Sequence, residues 1–191
     1  MNEHGQDSSE VGKIWQTLEA QLTRVIGRPA KLVFPSTMDD LYYKWFKTIE
    51  AAAFREELRY SSEEILERIE KPDLLFFFVT TGQEAHAFIL GYTLESEWER
   101  TFYIDTIAVR QQGIGIGSLI MNAAMAWARV KKYRAIVLDT EEKNEKGLPL
   151  RRFYEKLGFV LFDSDDTGNL TMRLRLSSKD ARSGLSSVDT R

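Results

Sequence analysis

Three glycines fall within six residues in Gln112-Gly113-Ile114-Gly115-Ile116-Gly117. An apolar segment ending at Val109 precedes them, and a stretch with helical spacing follows. The first N–H groups of a helix have no intrahelical partner, and the aligned peptide dipoles add partial positive charge at that end. Glycine leaves no Cβ between such amides and an approaching oxygen. The pattern therefore suits the grip of a phosphate, and a pyrophosphate fits it well. Glycine runs also serve as plain turns; the strand–loop–helix setting is what favours the anion. Other residues able to do chemistry flank the loop. Ser118 follows it, Asp105 lies on the preceding strand candidate, Asp139 and Glu141 close the next one, Asn144 comes just beyond, and Tyr154 sits in the last helix candidate.

Composition narrows the field. Of the 191 residues, 43% are hydrophobic and 29% charged, ordinary values for a globular domain with a core. A formal net charge of −3 gives no polybasic surface for nucleic acid or an anionic membrane. There is no cysteine, which removes disulfides, thiolate metal sites and a cysteine nucleophile together. Two histidines, His4 in a polar leader and His86 in an expected turn, are too few for the usual zinc hydrolase or serine triad, and no metal is expected. The acidic, polar N-terminus is unlike a signal peptide. The longest apolar run, Leu74–Val79, is too short to span a bilayer. The cytoplasm is the expected compartment.

The elements that must position these residues read as follows. Val11, Ile14, Trp15, Leu18, Leu22 and Val25 mark a helix over residues 10–26. It belongs to an N-terminal extension, 1–30. A domain over 31–176 follows, then a tail, 177–191, whose serine and charge predict disorder. Lys31–Phe34 predicts a strand. Asp39–Phe54 predicts a helix with the stripe Leu41, Trp45, Ile49 and Ala52, and Ser61 or Ser62 caps another. Leu74–Thr81, Ala87–Leu94 and Thr101–Val109 predict a three-stranded meander, with Gly82–His86 as a turn. The helix Gly115–Lys131, the strand Ala135–Thr140, the helix Leu148–Leu157 and the strands Phe159–Asp163 and Leu170–Leu176 complete the chain. The order β-α-α-β-β-β-α-β-α-β-β predicts an α/β (α+β) fold, a mixed, mostly antiparallel sheet with helices on both faces. Arg55–Lys71 reads as a charged outer face, and Trp15, Trp98 and Trp127 as packing residues.

A dinucleotide is the competing ligand for the glycine loop, because Asp139 stands where a ribose-binding acid would. The spacing Gly-x-Gly-x-Gly, the position behind a meander and the short remaining chain count against it. The chain instead resembles the GNAT superfamily of N-acetyltransferases. Their loop Arg/Gln-x-x-Gly-x-Gly/Ala is matched by Gln112, Gly115 and Gly117, with an extra glycine at Gly113. Their second signature, an asparagine after the fifth strand and then Tyr-x-x-x-Gly-Phe, is matched by Asn144 and by Tyr154 with Gly158-Phe159. The element order from about Lys31 to Leu176 fits as well. Two spacings depart from the pattern. The link from Val109 to the glycines is about two residues shorter, a shift that preserves strand face and can put Ile107 in the place of Val109. The gap from Asn144 to Tyr154 is longer and carries Gly147 and Pro149.

The resemblance implies direct attack of an amine, on a protein or a small molecule, on the thioester of acetyl-CoA within a ternary complex. The lack of cysteine agrees, because an acyl-enzyme is then hard to build. It implies co-substrate contacts at Ile107, Ala108, Val109, Gln112, Gly113, Ile114, Gly115, Ile116, Gly117, Ser118, Asn144 and Tyr154. It implies Tyr154 as the acid for the departing thiolate. Asp139 matches a glutamate that serves as base in ribosomal-protein N-terminal acetyltransferases, with Asp105 and Glu141 as rivals. A bulge splaying the two central strands is implied too, so that pantetheine can enter. Arg59 and Tyr60, in the link between two helices, and Asp105 are the acceptor-side candidates. Tyr42, Tyr43, Trp45 and Phe46 stand behind them, Trp45 reading as core. A homodimer is compatible with this reading. An acyl-CoA-binding sensor without turnover is the alternative, and a dinucleotide-dependent oxidoreductase the third.

Overall fold

Local sequence accounts for most of the elements, which a computed structural model describes over residues 3–94, 99–144 and 146–176. Trp98 and the tail expected to be disordered lie outside these residues. Helix α1 (Glu3–Ile26) starts well before residue 10 and buries Leu18 and Leu22 in the main core, against the helix over Ile116–Val130. Strand β1 (Lys31–Val33) leads to α2 (Asp40–Ala53), whose N-cap Asp39 accepts a hydrogen bond from the Tyr42 N–H at 2.9 Å. A 3-10 turn, Glu56–Leu58, precedes α3 (Ser62–Ile69), which opens with both halves of a capping box between Ser61 and Glu64. The strands β2 (Leu75–Thr81), β3 (Glu84–Leu94) and β4 (Thr101–Val109) form the meander. Then come α4 (Ile116–Val130), β5 (Ala135–Glu141), α5 (Leu150–Lys156), β6 (Val160–Ser164) and β7 (Asn169–Arg175).

Expectations for α2 and for the turn between β2 and β3 are corrected. The buried stripe of α2 is Phe46, Ile49, Glu50 and Ala53, while Leu41 is 49% exposed and Trp45 is half-buried. The helix is turned by about one position because Phe46 stacks on Phe88 of the sheet, ring centres 4.2 Å apart, and leaves Trp45 edge-on to Phe78 at the rim. The hairpin turn is tighter than Gly82–His86. Thr81 already pairs with Glu84, so His86 lies within β3, where its Nε2 shares a 2.7 Å hydrogen bond with the Thr81 hydroxyl. Burial holds its imidazole below the usual range.

The seven strands lie in the order β1-β2-β3-β4-β5-β7-β6, with β4 and β5 as the parallel pair. Alternation along β2 sends Phe77 and Val79 to the core under α1 and α4, and Phe76 and Phe78 to a second core under α2. The register between β3 and β4 runs Gly91↔Ile104 and then Leu90↔Thr106, so Asp105 is the extra residue of a bulge. A Cβ on Gly91 would lie 2.6 Å from both the Phe102 ring and the Tyr103 carbonyl oxygen. No other residue fits opposite the bulge. Pairing between β4 and β5 runs from Thr101↔Ala135 to Ile104↔Leu138 and stops there. Beyond the bulge the two strands part, as the resemblance implied.

Candidate active site

A cavity of about 620 Å³ opens where β4 and β5 part. One end is the glycine loop. Gly113 and Gly115 hold φ at 86° and 93°, and Gly115 is the N-cap of α4. A Cβ at either position would meet nothing within 4 Å. Glycine is therefore required there by backbone conformation, and open space lies beside it. Among the described residues, no N–H from Gly113 to Ser118 has a hydrogen-bond acceptor. Gln112 accepts from the Asn144 side-chain amide at 3.4 Å, so the two signature segments meet across the cavity. Asn144 also accepts from the Lys146 and Leu148 N–H groups at 3.0 and 2.9 Å, which folds the loop carrying Gly147 and Pro149 into a compact turn.

The inner edge of β4 supplies a second set of donors and acceptors. The Arg110 N–H reaches the His86 carbonyl on β3. Backbone groups alternate edges along a strand. Those of Ile107 and Val109 thus face the side from which β5 has departed, and both residues line the cavity. Ala108 does not. Its backbone faces β3 and its side chain is core under α2. Ile114 packs its side chain on the main core rather than into the cavity. Arg59 is likewise turned away. Its guanidinium donates to the Phe54 and Ala51 carbonyls at 2.9 and 3.4 Å, completing the C-terminal end of α2. Tyr60 beside it does line the cavity.

Tyr154 lies on α5, 8% exposed, between Phe153 and Phe159. Its hydroxyl makes no hydrogen bond to any described residue, and the residue lines the cavity. Burial pushes its phenol up to about 12, because the phenolate would lose its water.

Three carboxylates line the cavity, and their partners separate them. Asp105, its side chain 6% exposed, accepts from Arg68 Nε at 2.9 Å, Tyr60 Oη at 3.0 Å and Tyr92 Oη at 3.2 Å. Glu141 is held by both terminal nitrogens of Arg55, at 2.5 and 3.1 Å. Asp139, which is exposed, accepts two neutral hydroxyls, Tyr103 Oη at 2.8 Å and Thr171 Oγ1 at 2.7 Å. Burial, and then the neighbouring Asp105, pushes Tyr92 up to about 12; burial and the hydrogen bond to Asp139 raise Tyr103. These phenols remain neutral donors. Asp139 is therefore the one of the three with no guanidinium on it.

Arg68 corrects the reading of Arg55–Lys71 as an outer face, because the nearly buried Asp105 draws it inward. Sequence reasoning also missed Tyr92, Tyr103 and Thr171. Tyr92 and Tyr103 are cross-strand partners, visible only once the meander register is known. Arg152 and Lys156, exposed on α5, line the cavity too and were not singled out. Their spacing of four was the available signal. Among the described residues, no group of three or more His, Cys, Asp or Glu is placed to hold a metal ion.

The acetyltransferase (GNAT) family matches residues 38–159. No curated protein matches the chain. Solved structures do. The ribosomal-protein-S18-alanine N-acetyltransferase from Escherichia coli is 16% identical, with a TM-score of 0.60 over 79% of this chain and 97% of that one. Arabidopsis thaliana Naa50, in complex with the bisubstrate analogue CoA-Ac-MVNAL, is 20% identical, with a TM-score of 0.57 over 77% and 99%. A GNAT acetyltransferase from Elizabethkingia anophelis with acetyl-CoA bound is 18% identical, with a TM-score of 0.54 over 77% and 97%. At these identities the likeness is one of fold. The family match runs from just before α2 to the residue before β6, through the glycine loop, both parted strands and α5. The chain belongs to the acetyltransferase (GNAT) family.

Proposed function

We propose that this chain transfers the acetyl group of acetyl-CoA directly to an amine, both substrates being bound together. One observation carries the reading: among the described residues, the slot between β4 and β5 has a row of unpaired amides at one end and an Asp139 without a counter-cation along it. Gly113–Ser118 would hold the pyrophosphate, with Arg152 and Lys156 as cations beside it. The Ile107 and Val109 backbone would pair with pantetheine. The amine nitrogen attacks the thioester carbonyl carbon, the C–S bond breaks, and the nitrogen's surplus proton passes to Asp139, directly or through a water. A model lysine amine has a pKa near ~10.4, so freeing it at pH 7 costs roughly 4–5 kcal/mol, and an α-amine near ~8 costs far less. A carboxylate without a guanidinium is the group able to take that proton.

Tyr154 faces the departing sulfur in this reading. A thiol has a pKa near ~8.5, below the value of about 12 for Tyr154. The phenol therefore stabilises the thiolate as a hydrogen-bond donor rather than by surrendering its proton outright. Tyr154→Phe should lower kcat about 100-fold or more with acetyl-CoA affinity nearly unchanged. Because the raised pKa keeps the phenol protonated, wild-type kcat should not fall between pH 8 and 10. A fall there that disappears in Tyr154→Phe would show the tyrosine ionising in that range and discard this role.

The acceptor half is walled by Ala53, Phe54, Leu58 and Tyr60. Arg68 and Arg55 neutralise Asp105 and Glu141, which leaves the charge of Asp139. An acceptor with one ammonium on an apolar carbon suits this, and a carboxylate next to the amine does not. A peptide N-terminus is our first choice, consistent with the peptide analogue in the Arabidopsis complex. The test follows free thiol with acetyl-CoA and three amines: the peptide Met-Val-Asn-Ala-Leu, phenethylamine and free leucine. Turnover of the first two and not the third is expected. Preference for leucine would reverse the charge argument. Tight acetyl-CoA binding with no turnover on any of them would favour a sensor.

A further inference from the structure

Glu50 is 1% exposed, and nothing in the proposed chemistry uses it. It lies on the buried face of α2, where an apolar residue would extend the stripe of Phe46, Ile49 and Ala53. Its two oxygens are fully engaged. Oε1 accepts from the Tyr60 N–H at 2.6 Å, and Oε2 from Lys47 Nζ at 2.6 Å. Lys47 Nζ turns back to donate to the Tyr60 carbonyl, also at 2.6 Å. One ion pair thus holds both backbone polar groups of a single residue. That residue lines the acceptor half of the cavity, its hydroxyl 3.0 Å from Asp105 Oδ2 and its ring 4.2 Å from the Arg68 guanidinium carbon.

Glu50 is buried while Lys47 keeps 32% of its side chain exposed, so the pair is at most a modest source of stability. The desolvation of both charges offsets most of their attraction, and well-packed apolar replacements are often equally stable or more so. What the pair does supply is direction, because each charge-assisted hydrogen bond restricts where its partner sits. Among the described residues the link between α2 and α3 has no strand partner; besides the pair it is held by one 3-10 turn, by Arg59 on the α2 carbonyls, by Arg55 on Glu57 and Glu141, and by the Ser61 capping box.

We propose that the Lys47–Glu50 pair is a positioning device for Tyr60, setting the wall against which the acceptor amine is held. Its functional half rests on the acceptor reading above. Lys47 and Glu50 touch neither substrate. They act through Tyr60, and through it on the Asp105–Arg68 pair. The consequence is selective: loss of the pair should loosen acceptor binding and leave the glycine loop at the far end of the cavity as it was.

The test is the double variant Lys47→Met/Glu50→Met in the full chain. It should still fold, the relieved desolvation of Glu50 offsetting part of the loss of partners for the Tyr60 N–H and carbonyl, and bind acetyl-CoA within about twofold of the parent. KM for Met-Val-Asn-Ala-Leu should rise about tenfold with kcat within about threefold, the pattern of lost ground-state binding. The Tyr60 amide should exchange with solvent at least about tenfold faster, as expected when a local tether is cut. Unchanged Tyr60 exchange would overturn the clamp, and faster exchange with an unchanged KM would overturn its role in acceptor binding. Should the double variant fail to fold, Glu50→Gln keeps the volume but offers one oxygen where Glu50 uses two, so either the Tyr60 N–H or Lys47 Nζ loses its acceptor and the clamp is broken. A KM equal to the parent's in that variant would also overturn the proposal. If the wild type acetylates none of the three amines, the functional reading fails by itself, and Tyr60 exchange still decides whether the clamp exists.

Discussion

Asp139→Asn is expected to lower kcat/KM about a hundredfold or more at pH 7, within the range a positioned general base contributes. The substitution keeps the shape of the side chain and one of the two oxygens that accept from Tyr103 and Thr171; the hydroxyl left facing the amide NH2 can rotate to accept from it, so the fold should be undisturbed. What it removes is the place for the amine's proton. At pH 9 a much larger fraction of an amine is already unprotonated, by up to about a hundredfold for a lysine-like amine. The deficit should therefore shrink as the pH rises. Equal loss at pH 7 and pH 9 would reject Asp139 as the base and turn attention to a water-mediated route. The parallel variant Glu141→Gln should have a much smaller effect on the rate, because that carboxylate is already spanned by Arg55. A larger effect at Glu141 than at Asp139 would invert the assignment.

Gly91→Ala is expected to be the most damaging single methyl in the molecule. Its Cβ would enter within 2.6 Å of a main-chain oxygen, which cannot swing aside, and of the Phe102 ring. Overpacking of this kind costs typically 1–3 kcal/mol and can exceed that when backbone must move. For a domain of this size that corresponds to a melting temperature lower by roughly 2–12 °C. The strand can escape the clash by losing the bulge, and then every side chain beyond Asp105 changes face. Ile107 and Val109 would leave the cavity. Thermal unfolding and acetyl-CoA titration check both outcomes. A variant that melts with the parent and binds acetyl-CoA normally would show that the bulge does not depend on Gly91.

The contrast between those two positions says what a sequence of this kind reveals. The glycine loop is legible because its chemistry is contiguous: three glycines, a strand before and a helix after, all within one short window. Tyr154 is legible through the Gly158-Phe159 that follows it. The meander and the crossover follow from strand alternation and helical spacing. The bulge is not legible, because Leu90-Gly91-Tyr92 reads as ordinary strand until Phe102 and Tyr103 are laid beside it. The ranking of the carboxylates fails for the same reason. Arg68 lies 37 residues before Asp105, and Arg55 lies 86 before Glu141. Charge composition cannot tell which acid each arginine will meet. The stripe of α2 was misjudged because Glu50 sits on the buried face and Leu41 on the outer one, against the hydrophobic pattern.

The short run of pairing between Thr101–Ile104 and Ala135–Leu138 is the stretch where β4 and β5 are stitched to each other along the sheet. One sheet half lies beside Phe54 and Tyr60 of the cavity wall, and the other carries Asp139 and leads to Tyr154. A ligand lying in the slot would extend that seam, adding cross-links where the backbone has none. In the proposed reading, filling the gap and tightening the sheet would be one event, with the coenzyme acting as a missing strand.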